Sequence, residues 1–193
     1  MNKIFVILTA LFLSACAAKP TQLDVPEQIK HQNKTYRLAN GQDLGTVARY
    51  VYLSKPDTLT NWTSQIEVLF DRNAQHRSIK DRIILRERVY RNTEVKTFKL
   101  SPVKDTQGKK DEGLIGYVVY APSQTDPLWQ VDVMTGKEMP QCGFVQFQYS
   151  QKVKNSRHLS EEKVLQHLQK YLITKEMKAL EKMPWQWHCQ NRE

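Results

Sequence analysis

The C-terminal region combines residue types that can bind a metal ion or change redox state. Segment 185–189 contains two tryptophans, His188 and Cys189, and a further cysteine stands at position 142. Cysteine and histidine are zinc ligands, so Cys142, His188 and Cys189 could supply three of the four ligands of a structural zinc site. The two cysteines could instead form a disulfide. The residue types alone leave both chemistries open.

Catalytic motifs are absent from the sequence. It contains no Gly-x-Ser-x-Gly elbow, no phosphate-binding glycine loop and no His-Glu-x-x-His pair. The five histidines, at positions 31, 76, 158, 167 and 188, lack metal-pair spacing. We therefore expect a protein that is not an enzyme, with no catalytic residue, no bound metal and no cofactor.

The N-terminus has the pattern of a secretory signal. Lys3 supplies a positive charge, and residues 4–13 form an apolar run. The run is too short to cross a bilayer, which needs about 20 residues.

The end of this run resembles the lipobox of bacterial lipoproteins, in which a leucine and two small residues precede a cysteine. Here the motif is Leu13-Ser14-Ala15-Cys16. The resemblance implies a signal peptide over 1–15, acylation (diacylglycerol and palmitate) at Cys16, and a lipidated tether over the polar residues 16–33. An ordinary signal peptide with a chance cysteine is the alternative.

The residues after Cys16 bear on the location. No Asp follows Cys16, and in enterobacterial lipoproteins such an Asp favours retention in the inner membrane. The resemblance therefore implies an outer-membrane lipoprotein that faces the periplasm, in preference to the inner membrane.

This compartment changes the interpretation of the cysteines. With Cys16 acylated, Cys142 and Cys189 form an even pair in an oxidising environment, which predicts a disulfide. Closing this loop would restrict the unfolded chain by about 4 kcal/mol in a loop-entropy treatment. Trp185 and Trp187, two residues apart, would then cover the sheet, and His188 would point away from them.

The charge of the chain also has to be interpreted by compartment. The formal net charge is +9, and removal of residues 1–15 takes away only Lys3 among the charged side chains, which leaves about +8. Nucleic acid is scarce in the periplasm, so we expect no nucleic-acid partner. The basic surface instead suits anionic envelope components or acidic proteins.

Apolar patterning predicts six to seven strands and two helices. The strands fall over 35–39, 46–53, 63–71, 95–103, 114–121, 127–135 and 142–153, and Asn40-Gly41 and Gly136-Lys137 are typical turn dipeptides. Residues 78–93 favour a helix, with a strand as the alternative. Ser78 and Asp81 resemble a capping box, and Ile79, Ile83 and Tyr90 share a face beside a second row formed by Leu85 and Val89.

A long helix is predicted over 160–183, between the N-cap Ser160 and Pro184. Its apolar residues fall into two rows about 100° apart. We expect a bend near Thr174, or packing of the second half on a different surface. The rows are Leu165, Leu168 and Leu172, followed by Ile173, Met177 and Leu180.

The element order predicts an α+β domain over 34–193, with a mostly antiparallel sheet, one middle helix and one long C-terminal helix. This order is loosely similar to that of small periplasmic proteins of the PsbP/DcrB-like group. The similarity lies in the order of elements and not in a motif.

Two loops are candidate binding sites. The first, 54–62, contains Lys55 and Trp62, and the second, 104–113, contains Lys109 and Lys110. We expect a non-enzymatic lipoprotein, attached to the membrane by its lipid, that binds a protein or an envelope component. The alternatives are a small-ligand or lipid carrier, or an immunity or inhibitor lipoprotein acting against a periplasmic toxin or hydrolase.

Overall fold

The computed structural model describes residues 22–105, 107–139, 142–156 and 158–189. The expected signal peptide and Cys16 lie outside these residues. Within the described part of the chain, no helix is long and apolar enough to cross a membrane.

A curled antiparallel sheet forms the centre of the protein. The described residues form ten strands: β1 Leu23–Asp24, β2 Gln28–His31, β3 Lys34–Asp43, β4 Val47–Leu53, β5 Ser64–Asp71, β6 Val95–Lys104, β7 Asp111–Tyr120, β8 Leu128–Met139, β9 Gly143–Lys154 and β10 His188–Cys189. Eight of them form the main sheet in the order β2-β3-β4-β5-β9-β8-β7-β6, and β1 pairs with β10 in a small second sheet. The α+β class and the antiparallel sheet are thus confirmed.

The prediction of six to seven strands was too low, because three short strands before and after the expected ones (β1, β2 and β10) were missed. Strand β2 has only four residues and buries one, Ile29, so it carries no alternating signal. It is held by pairing with β3. Strands β1 and β2 also lie inside the predicted tether 16–33, so residues 22–33 belong to the fold and the tether boundary has to move toward the N-terminus.

Both turn dipeptides proved to lie inside strands. Gly136 belongs to β8, where a Cβ atom would come within 2.3 Å of the Phe144 ring. A glycine is therefore required there for packing and not for a turn. Gly41 lies in β3, just after a bulge in the pairing with β4 between Leu38 and Asn40. Such a bulge bends the strand without ending it.

The middle helix is confirmed as α1, Ile79–Arg91, with the capping box of Ser78 and Asp81 in place. Ile79, Ile83 and Tyr90 face the sheet as expected. The second row does not, because Leu85 and Val89 are 37% and 57% exposed.

Arg82 occupies a buried position on the side of α1 that faces the sheet. Arg82 is only 6% exposed. Its Nη1 lies 2.6 Å from Asp71 Oδ2, and its guanidinium lies 4.2 Å from the centre of the Phe144 ring. The ion pair and the stacking compensate for burying the charge, which helical periodicity alone does not reveal.

The C-terminal helix runs without a break through α2 Glu161–His167, a π-helical segment Leu168–Ile173, and α3 Thr174–Glu181. A π segment accommodates an extra residue, because its hydrogen bonds span five residues instead of four. The N–H of Thr174 accordingly donates to the carbonyl of Gln169. One extra residue cancels the offset of about 100° between the two apolar rows.

Both rows therefore pack in the same core. Leu168, Ile173 and Leu180 are all buried in the cluster that includes Phe147 of β9. Of the two expected alternatives, packing of the second half on a different surface was wrong. The π segment accommodates the offset between the two apolar rows, so the packing surface does not change.

The sheet has two unlike faces. The helix face, which packs against α2, the π segment and α3, is apolar and includes Ile66, Val133 and Phe147. The α1 face is apolar only where α1 covers it, around Leu114 and Phe144. Beyond α1, polar side chains replace the apolar ones on this face, and these carry the candidate site.

Deletions test the role of the π segment. Removing Lys170, which is exposed within it, should leave stability close to wild type, because a regular α-helix would keep both rows on one face. Removing Lys175 from α3 should cost about 2–5 kcal/mol, because either Ile173 or Leu180 has to leave the core. Urea unfolding followed by circular dichroism measures both, and equal losses of stability would contradict this account.

Candidate functional site

The polar side chains of β8 and β9 form a cluster on the α1 face. In the sheet register Asp132 lies opposite Ser150, and Gln130 lies opposite Lys152. Because side chains alternate between the two faces, Gln146, Gln148 and Ser150 of β9 point to the same side as Asp132. We call Gln130, Asp132, Gln146, Gln148 and Ser150 the polar cluster.

Asp132 is the centre of the polar cluster. The Nε2 of Gln130 donates to its Oδ1 at 2.9 Å, and the Nε2 of Gln148 donates to its Oδ2 at 3.1 Å. Burial raises the pKa of Asp132 to about 6, although hydrogen bonds from Gln130 and Ser150 lower it and the charge of Glu67 raises it further. The carboxyl group can therefore change protonation state close to neutral pH, which is common among functional carboxylates.

The chemistry available in this cluster is hydrogen bonding. Ser150 is fully buried and receives a hydrogen bond from Gln148 Nε2 at 3.2 Å. No group of three or more His, Cys, Asp or Glu side chains within the described residues could hold a metal ion. The sequence pattern did not reveal this cluster, because polar residues that alternate with apolar ones are typical of a solvent-facing strand surface.

Trp62 lies at the border of the polar cluster. Its ring is 4.5 Å from the Nζ of Lys152, which also forms an ion pair of 2.7 Å with Asp126. Lys152 in turn lies opposite Gln130 in the register. The predicted binding residue Trp62 is therefore half-buried against the sheet through a cation–π contact.

Lys55 lies beside a surface groove of about 520 Å³, which we call the β3 groove. Its lining includes residues of β3, the end of β4 and the following loop: Arg37, Leu38, Leu53, Lys55 and Leu59. Leu38 and Leu59 are 40% and 51% exposed. In the described part of the chain no ion pair involves Arg37 or Lys55.

The two candidate loops lie at opposite ends of the sheet. Loop 54–63 joins β4 to β5 at the end where β9 finishes, since Ser64 pairs with Gln151. Lys109 and Lys110 lie in the β6–β7 loop, at the end where β9 begins. The 12 residues of β9 separate these ends by about 40 Å. Lys109 and Lys110 are exposed, and the Lys109 N–H donates to Asp105 Oδ1 at 2.8 Å.

The structure contains the predicted Cys142–Cys189 disulfide, with Cα atoms 6.2 Å apart. It ties the β8–β9 turn to β10. Trp187 is fully buried with its ring 5.7 Å from Phe147, and Trp185 donates its Nε1 proton to Met139 Sδ. His188 is exposed, as expected. The residues that suggested a metal site therefore attach the C-terminal segment to the sheet through a disulfide and apolar contacts.

The N-terminal segment is attached to the same region. Leu23 pairs with Cys189, so the described chain begins at the end of the sheet that holds Cys142. We call this the disulfide end, and the opposite end, with loop 54–63, the groove end.

A buried pair of ionisable side chains, missed by the sequence analysis, also fixes the N-terminal segment. His31 Nε2 lies 2.9 Å from Glu176 Oε2, and Gln32 Nε2 donates to the same oxygen at 3.1 Å. Glu176 is almost fully buried, and the His31 ring lies 4.6 Å from Tyr149. The partners are 145 residues apart, so no local pattern could have connected them.

Taken together, these features define an α+β protein with a curled, disulfide-tied antiparallel sheet and a polar cluster beside its middle helix. A protein-family model matches residues 23–185, and the chain belongs to that family. The chain is 56% identical over 193 aligned residues to an uncharacterized protein of Haemophilus influenzae, with 98% of this chain and all of the relative covered. No solved structure matches the chain. The likeness to the PsbP/DcrB-like group stays a prediction.

The raised pKa of Asp132 predicts a specific pH dependence. Near pH 4 the Asp132 carboxyl is largely protonated in the folded protein, and its burial costs little free energy. Above about pH 6 the buried carboxylate is ionised, and its burial destabilises the fold. Between acid and neutral pH, the free energy of unfolding of the wild type should therefore fall by about 3 kcal/mol relative to that of Asp132→Asn. Urea unfolding of both proteins across this range measures the difference.

Asp126→Asn is the matched control, because Lys152 lowers the pKa of Asp126. Wild type should gain stability relative to this variant as the pH rises, which is the opposite sign. A difference between wild type and Asp132→Asn that does not change with pH would show that the Asp132 carboxyl titrates normally.

Proposed function

We propose that the protein is a lipoprotein of the outer membrane that faces the periplasm and binds a protein or an envelope component without catalysing a reaction. The observation that carries the binding proposal is the β3 groove. It combines the apolar side chains of Leu53 and Leu59 with two cations, Arg37 and Lys55, that form no ion pair with the described residues. Exposed apolar side chains beside unpaired charges are typical of a surface that a ligand covers.

The anchor proposal rests on the lipobox residues and is supported by the disulfide, which suits an oxidising compartment. Six residues lie between Cys16 and Leu23, and these seven Cα–Cα steps keep an acylated Cys16 within about 24 Å of the disulfide end. The β3 groove lies at the other end of the sheet.

The anchor is tested by Cys16→Ser. This variant should incorporate no labelled palmitate and should leave the membrane fraction, because no other acylation site follows from the lipobox. Ser14→Ala, which keeps a small residue before the cysteine, should be labelled like wild type. Labelling and sucrose-gradient fractionation of cells give both results, and a palmitate-labelled Cys16→Ser protein would exclude this anchor.

The groove is tested by photo-crosslinking in living cells. A photoreactive amino acid at position 59 should give a discrete adduct that disappears when Arg37→Glu and Lys55→Glu are combined, since reversed charges would repel an anionic ligand. The matched control combines Lys109→Glu and Lys110→Glu, which changes the net charge equally at the other end of the sheet. An adduct that survives at the groove, or that the control also removes, would count against this site.

A second candidate function has one observation in its favour. A cavity of about 440 Å³ lies at the disulfide end between the sheet and the end of α3. Its apolar lining includes Val103, Ile115, Leu180, Met183 and Trp185. Its volume is within the usual range for small-ligand sites, which fits a carrier of an apolar ligand. A copurifying apolar molecule would be the signature of that function.

A further inference from the structure

Two arginines of α1 hold buried hydrogen-bond donors that no described residue uses. Arg82 and Arg86, which we call the arginine pair, are four residues apart and therefore lie on the same side of the helix. Arg82 donates from its Nη1 to Asp71. Its Nε and Nη2, and the Nη1 of Arg86, are buried and have no hydrogen-bond partner among the described residues. Folded proteins rarely leave buried donors unpaired, so three in one place indicate a ligand that accepts from them.

Arg86 is the less compensated cation of the pair. In the described part of the chain no ion pair involves it. Burial lowers the pKa of its guanidinium, which means that the charged form is held at a cost in free energy. The charge of Arg82 adds to this cost, because like charges four residues apart on a helix repel each other. An anion between the two guanidinium groups would reduce both costs.

The two guanidinium groups are close enough to share one ligand. Their central carbons lie 4.2 Å (Arg82) and 5.8 Å (Arg86) from the centre of the same ring, that of Phe144. A planar carboxylate matches the two parallel donors of one guanidinium, whereas a tetrahedral phosphate presents oxygens in several directions. Free donors on two separate guanidinium groups therefore suit a phosphate better than a carboxylate.

The charges around the arginine pair also favour an anion. Arg82 forms its ion pair with Asp71, and its Nε lies 3.5 Å from Glu138 Oε1, which is longer than a normal hydrogen bond. Arg77 and Lys110 add positive charge close to these two carboxylates. With Arg86, these residues bring four cations to two carboxylates, so the site is electropositive.

The site is open to solvent on the side of Arg86, which is only half-buried. Exposed apolar side chains lie next to it on the helix, because Leu85 precedes it and Val89 follows three residues later. A phosphate that carries an apolar part, as in a phospholipid, could contact these side chains as well. The site also lies at the disulfide end, since Phe144 is two residues from Cys142.

We propose that the arginine pair binds a phosphate group, with Arg82 Nη2 and Arg86 Nη1 donating to its oxygens. The group belongs either to a soluble phosphate or to a lipid headgroup, because the donors recognise the same oxyanion in both. This inference goes beyond the proposed binding function. It concerns residues outside the β3 groove and holds whether or not a photoreactive residue at position 59 gives an adduct.

Isothermal titration calorimetry of the full chain in uncharged detergent tests the site with two probes, inorganic phosphate and a short-chain phosphatidylglycerol. At least one probe should bind saturably at fixed ionic strength. Arg86→Gln should weaken that binding about ten-fold, the equivalent of about 1.4 kcal/mol. Arg88→Gln is the matched control, because it removes the same charge from an exposed position on the other side of α1. It should leave binding unchanged.

Urea unfolding separates phosphate binding from a purely structural role of Arg86. Without phosphate, Arg86→Gln should be at least as stable as wild type, because it removes a buried charge that has no carboxylate partner. A probe that binds the folded protein should stabilise wild type as its concentration rises, and should stabilise the variant much less. A structural role predicts instead that the variant is less stable and responds to the probe like wild type.

The two probes also distinguish the source of the phosphate. Affinity for phosphatidylglycerol at least about ten-fold above that for inorganic phosphate assigns the site to lipid headgroups, and a smaller ratio assigns it to soluble phosphate. Three results would overturn the inference. They are binding of neither probe, equal weakening by Arg86→Gln and Arg88→Gln, and a phosphate-free Arg86→Gln protein that is less stable than wild type.

Discussion

The attachment of the C-terminal tail to the sheet is the constraint on which much of the fold depends. The indole of Trp187 is fully buried against Phe147, and the disulfide to Cys142 follows two residues later. Burying an aromatic side chain of this size contributes a few kcal/mol. Within the described residues the indole N–H has no hydrogen-bond partner, so apolar contact and the covalent bond have to outweigh that cost. The N-terminal strand β1 depends on this attachment, because its partner is β10.

The same core explains the arrangement of the C-terminal helix. Its two apolar rows are out of phase in a regular α-helix, and the π segment brings them into phase. This places Glu176 on the buried side, where it meets His31 and Gln32 of the N-terminal segment. A local irregularity of the backbone thus determines a contact between the two ends of the chain.

The α1 face shows a different balance of forces. Arg82 and the polar cluster occupy positions that apolar residues fill on the helix face. Such groups are stable when buried only if they are paired, and Asp71, Gln130 and Gln148 provide those pairings. The Asp132 carboxyl is still costly in its ionised form, as its raised pKa indicates. Trp62 and Lys152 then close the border of this polar region near the β3 groove.

Local patterns in the sequence were sufficient to predict most of the strands, the capping of α1 and the disulfide partners. These features depend on side-chain alternation, on contacts three residues apart, and on the number of available cysteines. The lipobox is likewise a local motif. Lys55 could be chosen as a binding candidate because it stands in a polar loop, but the sequence grouped it with nothing outside that loop.

The tertiary structure alone decided what the long-range contacts determine. It placed Lys55 beside Arg37 of a different strand, and it separated both from Lys109 and Lys110 by the length of the sheet. It also turned Leu85 and Val89 toward solvent while burying Arg82, because the partners of Arg82 lie on β5 and β9. A charge can be buried only where opposite charges and ring faces converge. That convergence is a property of strand order and register, which no single segment of the sequence contains.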